Sequence, residues 1–182
     1  MAKTTMNPLL TLVLGSLMVF GGASAIAQSR VGHEQRHFSA EDETVKNPVA
    51  IPLAVRALLA KEEMVRDAAR FDHIAPEDFP ASWFLTSAVS LGNDGEKDLV
   101  LVGRGPMSGA NITQFWVFHA TDEGYDLVLQ AGAHDLFVND RMQHGFREIE
   151  LQSATGIRFY TVVFRFDGKR YKVIRNTSES TR

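Results

Sequence analysis

The stretch "GEKDLVL", Gly95–Leu101, recurs fifty residues on as "GFREIEL", Gly145–Leu151, with the shared pattern G-x-[KR]-[DE]-[LI]-x-L. A second pair follows each copy. "WVFHATDEGYDLV" (116–128) lines up with "VVFRFDGKRYKVI" (162–174), which places Phe118 and Tyr125 over Phe164 and Tyr171 at the same spacing. The runs between turn signals are short and rich in β-branched and aromatic residues: "WFLTSAV", "DLVLVG", "ITQFWVFH", "YDLVLQAG", "DLFV", "REIEL", "RFYTVVFRF" and "RYKVI". Such runs, separated by "GNDGE", "TDEG", "QHG" and "FDGKR", read as strands joined by tight turns, with Asp167-Gly168 a favoured hairpin pair. Each unit is therefore expected to be a four-stranded antiparallel meander. One meander cannot bury its own face, so the two should share a core. The fold class is mainly β: two four-stranded meanders over residues 82–176, followed by a polar tail at 177–182.

Upstream the texture changes. Residues 48–81 read as one amphipathic helix and a loop. Pro52 suits a first helical turn, and Leu53–Arg70 is rich in Ala, Leu, Met, Lys, Glu and Arg. Val55, Leu58, Leu59, Val65 and Ala69 form its apolar stripe, and "HIAPEDFP" ends it with two prolines. Residues 28–47 carry few apolar side chains and read as a flexible polar leader. Residues 1–27 read as a signal peptide. An apolar run at Leu9–Phe20, too short for a membrane span, is broken by Gly21-Gly22 and followed by Ala25-Ile26-Ala27, an A-x-A cleavage pattern.

Removing 27 of 182 residues leaves 155, one domain's worth, with 18 basic against 22 acidic side chains. This small, unclustered excess argues against nucleic acid as a partner. No cysteine is present, so no disulfide supports the fold in an oxidising compartment. The expected location is the periplasm or the exterior, with no membrane span after cleavage.

"VGHEQRHFSA", residues 31–40, contains an H-E-x-x-H at His33, Glu34 and His37. A zinc peptidase needs these on a stiff helix beside a cleft, with the histidines as ligands and the glutamate activating water. Residue by residue the triplet resembles the zincin families, and Glu63 with Asp67 could stand for a third-ligand helix. Arg36 puts a charge where those families bury an uncharged residue. His33 and His37 remain zinc candidates, and a solvated tail is the simpler reading.

"SLGNDGEKDLVLVG" followed by an aromatic strand resembles an FG-GAP or VCBS repeat, the blade unit of a class of β-propellers. The chain resembles still more a group of small exported bacterial proteins of unknown function, through Asn93-Asp94-Gly95, Asp98, "FWVFH", "GYDLVL", "GFREIEL" and "FRFDGKRY". The resemblance implies propeller-blade-like repeats. It also implies a calcium site in the turn, carried here by Asp94 and Asp98 with Glu96 near. Ser90 and Gly92 occupy positions where the family has Asp and Asn, and stabilisation of the turn is the alternative role for both aspartates.

Other groups admit functional and structural readings. His119, His134-Asp135 and His144 could serve acyl transfer, but Ser87, Ser90 and Ser108 lack a G-x-S-x-G context, and surface histidines are the simpler reading. Glu148 and Glu150 alternate along one strand face as a carboxylate pair or, more simply, as the solvent side of an edge strand. Trp83, Trp116, Phe115, Phe118, Phe164 and Phe166 read as core, with Phe118 and Phe164 both inward. The loop Gly103–Thr113, four residues longer than its counterpart, is the expected partner contact through Arg104, an exposed Met107 and Asn111. The function these features suggest is non-catalytic recognition of an envelope protein or small ligand, of the inhibitor or immunity type. A zinc-dependent hydrolase and a structural envelope component are the alternatives. No cofactor is expected, calcium being the one candidate.

Overall fold

The computed structural model describes residues 34–180. The signal-peptide reading of residues 1–27, the first part of the leader, His33, Thr181 and Arg182 lie outside the described residues. The elements run β1 (His37–Ser39), α1 (Leu53–Leu59), α2 (Glu63–Phe71), β2 (Phe84–Val89), β3 (Asp98–Gly103), β4 (Thr113–Thr121), β5 (Gly124–Ala133), β6 (Asp135–Gln143), β7 (Phe146–Ala154), β8 (Arg158–Phe166) and β9 (Tyr171–Ser180). They form two antiparallel sheets, ordered β2-β3-β4-β5 and β1-β6-β7-β8-β9. The chain is mainly β, and each run of four consecutive strands is a meander. Among the described residues no helix is long and apolar enough to cross a membrane.

The repeated sequence produces repeated backbone. Gly95 and Gly145, which open the two copies of the motif, both adopt left-handed φ, +80° and +82°, where a side chain would be strained. Leu99 faces Phe118 and Ile149 faces Phe164 in the same register. A β-bulge falls between Val117 and Phe118 in one sheet and between Val163 and Phe164 in the other, so Val128 and Ile174 are the corresponding extra residues.

Equivalent positions point the same way through the molecule, so the sheets stack front to back. In the four-stranded sheet, Leu99, Leu101, Trp116 and Phe118 pack on the helices through Val55, Leu59, Val65 and Ala69. Its other face, with Val100, Val102, Phe115 and Val117, packs on Leu136, Val138, Ile149 and Leu151 of the five-stranded sheet. Burial on both faces explains why "DLVLVG" is an unbroken apolar run rather than an alternating one. The outer face of the five-stranded sheet carries half-buried Glu150, Gln152, Thr161 and Arg165 where the first copy has Val100, Val102, Phe115 and His119. Polar replacement at those positions removes the apolar face on which a third sheet would stack.

Three expectations are corrected. The single helix is two, because Val55–Leu59 and Val65–Ala69 are each spaced by four while Leu59 and Val65 are six apart. In one continuous helix these last two would lie about 120° apart. The break at Ala60–Glu62, where Glu62 is extended (φ −67°, ψ 136°), lets both short stripes face the core. The flexible leader becomes, from Glu34 onward, part of the fold. β1 pairs with β6, and Phe38 is fully buried. The polar tail continues β9 through Ser180.

Candidate functional site

The described part of the H-E-x-x-H is not helical. Glu34 to Arg36 run without regular structure into β1. The Glu34 carboxylate accepts from Arg36 Nε at 3.2 Å and from the backbone N–H of Ser90. The His37 ring stacks parallel on Phe137, with centroids 4.3 Å apart, and its Nε2 is 2.8 Å from Asp135 Oδ1. Glu34 and His37 therefore fasten the segment to the sheets, and the described residues of the motif do not form the helical turn that its chemistry needs.

The calcium reading is also corrected. Asp98 is fully buried, and both its oxygens are engaged. Oδ2 accepts from Leu91 N at 2.8 Å, and Oδ1 accepts from Ala120 N at 3.0 Å and His119 Nδ1 at 2.7 Å. Asp94 accepts from Glu96 N at 3.1 Å within its own turn. Among the described residues no group of three or more acidic or histidine side chains converges as metal ligands.

The motif's acidic position has a common structural role. Asp98 lies opposite His119, and the equivalent Glu148 lies opposite the equivalent Arg165, which donates to Glu148 Oε1 through Nε at 3.1 Å and Nη2 at 2.8 Å. Glu148 is buried on a central strand, not on the solvent side of an edge. His119 is half-buried, edge-on to Phe146 and Phe166 between the sheets, rather than on the surface. His144 is in an exposed turn.

His134 and Asp135 form a network with the N-terminal segment. His134 Nδ1 is 2.8 Å from Asp135 Oδ2, and its Nε2 is 3.6 Å from Glu41 Oε1. Ser39 also bonds Asp135, so the carboxylate lies between hydroxyl and imidazole. A nucleophilic triad instead needs the imidazole between the other two. The Asp135 hydrogen bond lifts the His134 pKa above its ordinary value against a smaller opposing effect of burial. Burial alone would raise Asp135, but hydrogen bonds from His134, His37 and Ser39 outweigh it and hold the carboxyl below the usual range. A raised histidine stabilises the fold fully below its unfolded pKa of about 6.5, and that stabilisation is lost as pH rises through the folded value. The lowered Asp135 contributes above about pH 4 and loses its contribution as pH falls through its folded value. The network is thus strongest between about pH 4 and 6.5. Denaturant titrations at pH 6 and pH 8 should show a loss of under about 1 kcal/mol, small because His134 is one-third exposed, and His134→Ala should flatten it.

The expected recognition loop divides. Met107, expected to be exposed, is 1% exposed and belongs to the helix-side core, at the end of a short 3-10 turn from Gly105. Gly103 permits this, because a Cβ there would lie 2.4 Å from the Met107 carbonyl oxygen. Arg104 Nη1 donates to Ala40 O at 2.7 Å, so it secures the N-terminal segment. Asn111 is exposed. Pro106 faces outward into a groove of about 600 Å³ between the loop and α2. Met64, Ala68 and Phe71 line the helix side together with Glu62, Glu63 and Asp67, while Gln114 and Gln130 come from β4 and β5. Phe71 is 84% exposed and Met64 40%. Both lie off the Val65–Ala69 stripe, and an aromatic residue off the stripe at a helix end was the signal available in the sequence.

A second groove of similar volume lies between the N-terminal segment and the β2–β3 turn, lined by Glu34, Lys46, Val49, Ser90, Glu96 and Lys97. Its Glu34 is already held by Ser90 and Arg36, so that carboxylate is engaged within the protein. The α2 groove carries Phe71 at 84% exposure, while the second groove carries Val49 at 40%. No protein-family model matches the chain, and no curated protein or solved structure matches it.

Proposed function

We propose that the protein is an exported, non-catalytic recognition factor that binds an envelope protein through the groove between α2 and the Gly103–Thr113 loop. The observation that carries this reading is Phe71. A phenylalanine left 84% exposed beside Met64 and Pro106 forgoes about 2 kcal/mol of burial that a partner would recover. The rigid sheet beneath gives the loop and the helix a fixed spacing, as recognition surfaces require. A photo-crosslinking residue at position 71, used in envelope extract, should trap a discrete partner. Phe71→Ser with Met64→Ser should weaken capture at least about tenfold while leaving the melting curve unchanged, as expected for an interface anchor. Equal capture by the double variant would reject the groove as the binding site.

A further inference from the structure

Among the described residues four strands end the two sheets, and three of them are short or lie against another segment. β2 is flanked by Asn47–Val49, with Ala88 N donating to Asn47 O at 3.1 Å and Val49 N to Thr86 O at 3.0 Å. β1 is three residues long, and α1 packs against β5. β9 is different: ten residues, paired only with β8 among the described residues, and exposed at every position after Tyr171. Natural edges are blunted by short length, lysine, proline or bulges. In β9 the lysine and the bulge, at Lys172 and beside Ile174, precede Arg175, and Arg175–Ser180 has no lysine, proline or bulge, its only charges being the opposite pair Arg175 and Glu179. Val173 and Ile174 are also exposed apolar residues.

What could pair there is constrained by symmetry. Two copies related by a two-fold axis through the sheet must keep opposed side chains on one face, so one residue must face its own copy. Centring on Arg175 sets two guanidinium groups against each other. Centring on Asn176 sets Arg175 against Thr177, and centring on Ser178 sets Thr177 against Glu179. Centring on Thr177 sets Arg175 opposite Glu179 twice. Arg175, Thr177 and Glu179 share a face by alternation, and Arg175 is held on it by Glu150, 4.0 Å away.

We propose that β9 is a homodimerisation edge, two copies pairing antiparallel about Thr177 so that their five-stranded sheets become one continuous sheet, with Arg175 of each opposite Glu179 of the other. This is independent of the α2 groove. The contact is small, so the dimer belongs to the weak, concentration-dependent class. Backbone bonds supply the attraction, and the two cross-strand ion pairs select the register.

Sedimentation velocity of the purified protein from about 1 µM to about 1 mM reads the association. A dimer should accumulate with concentration. Arg175→Glu and Glu179→Arg should each weaken it about tenfold, since each turns two attractive cross-strand pairs repulsive. Combining the two substitutions should restore native association. The proposal is overturned if the native protein is monomeric throughout, or if either single variant associates as the native chain does. A double variant that melts normally yet stays as weak as the singles would also overturn it.

Discussion

Removing residues 34–47 is expected to cost the fold more than about 5 kcal/mol, and Phe38→Ala alone about 3–4 kcal/mol. Phe38 is fully buried, with Val45 beside it in the core between the sheets. Truncating a buried phenylalanine loses its transfer free energy and leaves a cavity that neighbouring strands fill only in part. The rest of the segment adds hydrogen bonds. Gln35 accepts from Lys46 N at 2.6 Å and donates to His37 O at 2.9 Å, while Ala40 N donates to His134 O at 2.7 Å. Excision would also strip Ala40 O from Arg104 and Glu34 from the Ser90 N–H. Urea unfolding of the point variant and the deletion tests this. If both unfold at the native midpoint, the segment is a solvated leader after all.

The contrast between that segment and the sheets shows what a sequence can reveal. Eight strands were legible because each is six residues or longer, alternates or runs apolar, and is bounded by turn residues. The internal repeat then ordered them into two meanders, and the structure adds the shared register that opposes Leu99 to Phe118 and Ile149 to Phe164. β1 has three residues and one large apolar side chain, too few for a period to appear. Its partner β6 lies almost a hundred residues away, so no local pattern betrays the pairing.

Exposure failed for a related reason. Met107, in a glycine- and proline-rich loop, resembles a surface residue until Gly103 lets the backbone turn it into the core. That reversal depends on a contact between segments. The calcium reading failed similarly. Asp98 fits a loop ligand by spacing, but its partners Ala120 and His119 come from β4, which spacing within the loop cannot disclose.

Asp98→Ala should cost about 4–5 kcal/mol, the largest loss expected from any single polar substitution in the molecule. The carboxylate terminates three donors from two elements. Without it the buried N–H groups of Leu91 and Ala120 lose their acceptor, at about 1–3 kcal/mol each. His119, wedged between Phe146 and Phe166, loses the partner that fixes its ring. Water cannot readily replace the carboxylate, because the site lies between two packed sheets and Asp98 has no accessible surface. The equivalent Glu148→Ala should cost less, about 1.5–3 kcal/mol, the range for hydrogen bonds to a charged group. Its partners are the side chains of Arg165 and Arg141, whose exposures of 32% and 70% let both guanidinium groups turn to solvent. Equal sequence positions are thus expected to differ because one faces the core between the sheets and the other the outer face of the stack. Guanidinium denaturation of the two alanine variants decides the matter. A Glu148 variant as unstable as the Asp98 variant would mean that the back of the five-stranded sheet is not open to water. An Asp98 variant losing less than about 1 kcal/mol would mean that its donors find other acceptors, and that the carboxylate is not what joins the β3 turn to β4.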